Sequence, residues 1–92
     1  MVTTCVRLVV RGSVQGVGFR FAAREAAVEC SVDGWVRNLA DGTVEIVAQG
    51  TPEAVARMTA WAQRGPRHAQ VDHVDVEAIA EPSRLDGFEI RR

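Results

Sequence analysis

The stretch Gly12-Ser13-Val14-Gln15-Gly16-Val17-Gly18-Phe19-Arg20 constrains this chain more than any other. It carries three glycines within nine residues. An apolar run, Val6 to Val10, precedes it and reads as a strand; the Ala-rich segment Phe21 to Cys30 follows and reads as a helix. Glycines let the backbone curl and let a ligand approach it closely. A strand, a Gly-rich loop and a helix N-terminus together make a site for an anion, because unpaired N–H groups point outward there and the helix dipole adds positive potential. The loop closes on Arg20, whose forked donors fit the oxygens of a phosphate or carboxylate. This pattern predicts a loop that holds a phosphate group.

The remaining elements follow from periodicity and punctuation. Val6, Leu8 and Val10 alternate with Cys5, Arg7, Val9 and Arg11, which predicts a strand with one dry and one wetter face. In the first helix, Ala23, Ala26, Ala27 and Cys30 share a face, with Arg24, Glu25 and Glu29 pointing away. Asp33-Gly34 reads as a turn, Trp35 to Leu39 as a second strand, Asp41-Gly42 as a tight hairpin and Val44 to Ala48 as the returning strand. Thr51 is placed to cap a second helix, with Pro52 at its first position, Val55, Met58, Trp61 and Ala62 as its apolar stripe, and Gly65-Pro66 as its stop. Val71 to Ile79 alternates with a charged outer face, as an edge strand would. Glu81-Pro82-Ser83 reads as a loop, and Phe88 to Ile90 as a short last strand.

This order, βαββαβ with a terminal β, predicts a ferredoxin-like α+β sandwich spanning residues 1–92 as a single domain: an antiparallel sheet with both helices on one face. In that arrangement strands one and two run parallel, with strand three between them. Their exits lie at the same end of the sheet, so Arg20 and Asn38 can face one small volume.

Charge and composition narrow the functional classes. The chain has 92 residues and a formal net charge of −1, so no global field recruits nucleic acid or an anionic membrane. No stretch is apolar enough to span a bilayer, and the first residues lack a basic region followed by an apolar one. A cytoplasmic protein is expected. Cys5 and Cys30 form no C-x-x-C unit and read as two reduced thiols, although their spacing in sequence leaves a bridge open.

The glycine loop matches neither common nucleotide motif. It lacks the Gly-Lys-Ser/Thr ending of a P-loop, and Phe21 stands where a dinucleotide fingerprint needs its third glycine. However, Gly12-x-Val14-Gln15-Gly16-Val17-x-Phe19-Arg20 resembles a signature of the acylphosphatase family. So does Gly34-Trp35-Val36-Arg37-Asn38, followed after three residues by Gly42-x-Val44 and after five more by Gly50. Trp61, Gly65-Pro66 and Ala69-x-Val71 are also similar to that family, so the resemblance covers essentially the whole chain.

The resemblance implies hydrolysis of acyl phosphates to carboxylate and inorganic phosphate, with no metal or cofactor. It implies that Arg20 binds the phosphate, that the backbone of Gln15, Gly16, Val17, Gly18 and Phe19 wraps the same group, and that Asn38 positions the attacking water. The partners it implies are a small-molecule acyl phosphate and its phosphate product, with a monomer as the simplest assembly. Two alternatives from other classes are a non-catalytic phosphate- or carbamoyl-phosphate-binding module and a ferredoxin-like interaction domain. The chain runs from Met1 to Arg92 with both Arg20 and Asn38 present, which favours the enzyme.

Other polar groups have plainer explanations. His68, Asp72, His73 and Asp75 form the only His/Asp cluster and read as a loop histidine with a solvated edge strand rather than a metal site. Asp41 belongs to the hairpin turn. Arg37 points away from Asn38 by strand alternation, and Trp35 and Trp61 read as packing residues. In the family a Leu-Gly-Leu often follows the first helix; here Cys30-Ser31-Val32 stands in that place, so Ser31 must adopt a left-handed conformation without glycine's freedom.

Overall fold

The computed structural model describes residues 2–80 and 84–92. The loop expected at Glu81-Pro82-Ser83 lies outside the described residues. The elements are β1 (Thr4–Ser13), α1 (Phe19–Cys30), β2 (Asp33–Asn38), β3 (Val44–Gly50), α2 (Pro52–Arg64), β4 (Gln70–Ala78) and β5 (Phe88–Ile90). They build one five-stranded sheet in the order β4-β1-β3-β2-β5. β3 pairs antiparallel with both β1 and β2, so β1 and β2 are parallel with β3 between them, as the sequence pattern predicts.

The fold is ferredoxin-like, with two departures from the sequence reading. The sheet is mixed rather than wholly antiparallel, because β5 pairs parallel with β2. β4 forms one edge, beside β1 and antiparallel to it, and β5 forms the other edge, running in the same direction as β2 and opposite to β4. The second departure concerns Asp33-Gly34, which is no turn but the start of β2. Gly34 has φ +147°, and a Cβ there would overlap the carbonyl of Val47 on β3. Glycine serves here for close strand approach rather than for chain reversal. Both residues also receive the chain entering β5: Gly34 N donates to Gly87 O at 2.9 Å, and Gly87 N donates to Asp33 Oδ1 at 3.0 Å.

One face of the sheet is dry. Val6, Leu8, Val10, Val36, Val44, Ile46 and Ala48 meet Phe19, Ala23, Ala26 and Ala27 of α1 and Val55, Met58 and Ala62 of α2. The alanine face of α1 lets that helix sit close to its neighbours, as its small side chains predict. Thr51 caps α2 by accepting a hydrogen bond from Ala54 N at 3.1 Å, with Pro52 at the first helical position. β4 is the predicted edge strand, but only part of its apolar face is covered: Val74 joins the core, whereas Val76 is 53% exposed.

The opposite face carries an ionic cluster that the sequence pattern did not single out. Glu45 is buried in the middle of the sheet and is held between Arg7 and Arg37, the latter at 2.6 Å. Arg37 and Arg91 both lie over the Trp35 ring, at 5.1 and 4.8 Å from its centroid. Cys5 and Cys30 are free thiols.

Candidate active site

The site forms where β1 leaves the sheet. Val14 turns inward and is buried, and Phe19 does the same at the start of α1. Phe19 meets the edge of Trp61 at a centroid distance of 5.3 Å, which moors the first turn of α1 to α2. Between those two anchors the loop arches outward through Gly16 and Gly18, both left-handed at φ +75° and +77°. A side chain at either position would strain the backbone.

Gly18 is the N-cap of α1, and α1 begins two residues earlier than the sequence reading placed it. No side chain caps the helix, and no acidic residue occupies its first turn. The first backbone bond of the helix runs from Ala22 N to Gly18 O at 3.1 Å, so the N–H groups of Phe19, Arg20 and Phe21 have no intrahelical acceptor. No carboxylate of the first turn therefore offsets the positive end of the dipole.

Asn38 ends β2 opposite Val44, whose other neighbour is Val10 of β1. The strand order brings it to the loop: a cleft of about 210 Å³ is lined by Val14, Gly16, Gly18, Phe19, Arg20, Phe21 and Asn38. Among the described residues, neither Arg20 nor Asn38 spends its side chain on an ion pair or a side-chain hydrogen bond. Among the described residues, no Asp, Glu or His lines the cleft. The arrangement suits a dianionic oxygen-rich group: fixed donors and a guanidinium on one side, and an amide that can both donate and accept on the other.

Two expected site residues stand outside the lining. Val17 turns to the core. The side chain of Gln15 leaves the cleft and donates from Nε2 to Leu39 O at 2.8 Å and to Thr43 O at 2.9 Å, across the β2–β3 hairpin. Two lining residues were not anticipated. Val14 is a specified position of the motif, but its place in the cleft floor follows only from the loop's path. Phe21 is 68% exposed at the mouth; the signal available in sequence was a bulky aromatic in a first helical turn, where polar caps are usual.

The neighbouring polar groups behave as their positions suggest. Asp41 accepts hydrogen bonds from Thr43 Oγ1 at 2.6 Å and Thr43 N at 3.0 Å, and these hold its carboxyl below the usual carboxylate range. Arg37 lies on the far side of β2, against Glu45. Asp75 is paired with Arg11 at 2.9 Å and with His73 at 2.8 Å, and both contacts, Arg11 first, lower its pKa. His68 and Asp72 do not join that pair, and no group of three metal-ligating side chains occurs among the described residues.

Fold and site together define a small ferredoxin-like protein built around an anion-binding cleft. The comparisons with known proteins make this specific. The family model described as Acylphosphatase matches residues 6–90. A curated acylphosphatase of Pseudomonas aeruginosa is 47% identical over 92 residues, covering 100% of both chains. The solved acylphosphatase of Coxiella burnetii superposes with a TM-score of 0.90 at 39% identity, over 97% of this chain and 93% of the other. That of Bacillus subtilis superposes with a TM-score of 0.93 at 31% identity, over 97% and 99%. The chain belongs to the acylphosphatase family.

Proposed function

We propose that the cleft hydrolyses acyl phosphates to a carboxylate and inorganic phosphate. The family supports the reaction; the residue roles are our reading. In it, Arg20 and the N–H groups of the loop and first helical turn bind the non-bridging phosphate oxygens. Asn38 holds a water in line with the phosphorus. The water oxygen attacks, the phosphorus–oxygen bond to the acyl group breaks, and the carboxylate leaves. A carboxylate leaving group needs no general acid, and a loose phosphoryl-transfer transition state asks chiefly for positioning and charge stabilisation. The water's proton passes to a phosphate oxygen of the substrate, since among the described residues no acid or histidine lines the cleft.

The observation that carries this reading is the meeting of Arg20, uncapped helix N–H groups and Asn38 in one cleft with no carboxylate among its lining. The test is hydrolysis of a simple acyl phosphate with and without a chelator. Turnover that the chelator leaves unchanged is expected. Phosphate binding without turnover would make the chain a binding module instead, and turnover abolished by chelator would overturn the metal-free mechanism. Free Cys5 and Cys30 support a cytoplasmic setting, and we take the working unit to be the monomeric chain.

A further inference from the structure

Gln15 joins the two halves of the cleft without lining it. It immediately precedes Gly16, the first left-handed residue of the loop, and its carbonyl partners Leu39 and Thr43 flank the hairpin that follows Asn38. Both partners are carbonyl oxygens, so the side-chain amide must face them with its NH2 group, and both of its hydrogens are used. The hairpin is already closed without it: Leu39 N donates to Thr43 O at 2.9 Å, Gly42 N donates to Leu39 O at 3.2 Å, and Asp41 accepts from Thr43. Gln15 therefore adds little to the turn itself. What it adds is a link between chain segments 24 and 28 residues apart, beyond the last rung where β3 pairs with β1 and β2.

We propose that Gln15 is a positioning residue that sets the distance between the phosphate cradle and Asn38. Its effect on rate rests on the acyl-phosphate reading above; its effect on geometry does not. Gln15 is exposed, so replacing it leaves the core intact. Gln15→Met keeps the length and removes both donors. Gln15→Glu is a second variant of the same length, and its ionised carboxylate cannot donate. Misplacement by about 1 Å can cost on the order of 100-fold in rate, so a loss in kcat of roughly tenfold or more is expected in either variant. In Gln15→Met, inhibition by inorganic phosphate should stay within about a factor of three of wild type, because the backbone N–H of residue 15, its only part assigned to the cradle, is kept and no charge is added.

The decisive measurement is a double-mutant cycle with Asn38→Ala. If Gln15 acts through Asn38, Gln15→Met should lower kcat in the wild-type background and have little further effect in the Asn38→Ala background. Equal losses in both backgrounds, a wild-type kcat in Gln15→Met, or weakened phosphate inhibition in step with kcat would each overturn the proposal. An independent readout is the Asn38 side-chain amide resonance by NMR, which should shift in Gln15→Met. An unshifted resonance overturns the positioning role. Absence of turnover in the wild-type chain overturns the acyl-phosphate reading instead, and the resonance still decides whether Gln15 positions Asn38.

Discussion

In the proposed mechanism Arg20 and Asn38 divide the work of the site, and substitutions should separate their contributions. Arg20→Lys keeps the charge but loses the planar fork, so phosphate affinity and rate should both fall, with kcat/KM down on the order of 100-fold or more. Asn38→Ala should instead lower kcat much more than it weakens inhibition by inorganic phosphate. Steady-state kinetics with phosphate as a competitive inhibitor measures both quantities. Ser31 is a different residue-scale case. It ends α1 in the left-handed region at φ +62°, with its N–H donating to Val28 O at 3.2 Å. The sequence already marked this position, because glycine is the residue that adopts such a conformation without cost. Ser31→Gly should raise stability by about 0.5–1 kcal/mol in urea denaturation, the relief of the Cβ clash exceeding glycine's greater chain entropy.

At the scale of elements, the open face of the sheet is held by Glu45 of β3 between Arg7 of β1 and Arg37 of β2. Burial alone would push the Glu45 carboxyl up, but the hydrogen bonds from Arg7 and Arg37 outweigh it, so its pKa lies below the ordinary value. A depressed carboxylate pKa stabilises the fold at pH above the unfolded value, about 4.3 for glutamate, and this contribution is lost as pH falls through the folded pKa. The chain should therefore lose stability below about pH 4.3, and Glu45→Gln should flatten that acid limb. At neutral pH the same substitution should cost about 1–3 kcal/mol, less than for a wholly buried pair because both arginines are partly exposed. Thermal denaturation across pH 3–7, a range spanning the ordinary carboxylate pKa of about 4.3, tests both statements. Sequence alternation identified Arg37 as facing away from Asn38. It gave no sign of Glu45's two partners, because strand register, not local pattern, sets Arg7 and Arg37 beside it.

At the scale of the molecule, the β1–α1–β2 crossover brings the glycine loop, Arg20 and Asn38 to one end of the sheet. Phe19 against Trp61 ties the start of α1 to α2, so the cleft is braced by the second helix as well as by the sheet. A ligand held there should stabilise the whole fold. Inorganic phosphate at 100 times its Kd should add about 2.7 kcal/mol of stability, read as a rise in Tm. Arg20→Ala should lose most of that protection at the same phosphate concentration; equal protection of the variant and the wild type would contradict the assignment of Arg20 to phosphate.

Local periodicity, turn chemistry and glycine spacing were enough to place the elements, their ferredoxin-like order and the loop–arginine signal. The sequence by itself also brought Asn38 to Arg20, since the crossover rule alone puts the ends of β1 and β2 together. Tertiary structure alone decided where side chains go once the backbone is placed. It turned Gln15 out of the cleft and onto the hairpin, set Val14 in the floor and Phe21 at the mouth, and assigned Gly34 to close strand approach instead of a turn. It also gave β5 its parallel partner. These depend on contacts between residues far apart in sequence, whose free energies arise only after strands have paired and their neighbours are fixed.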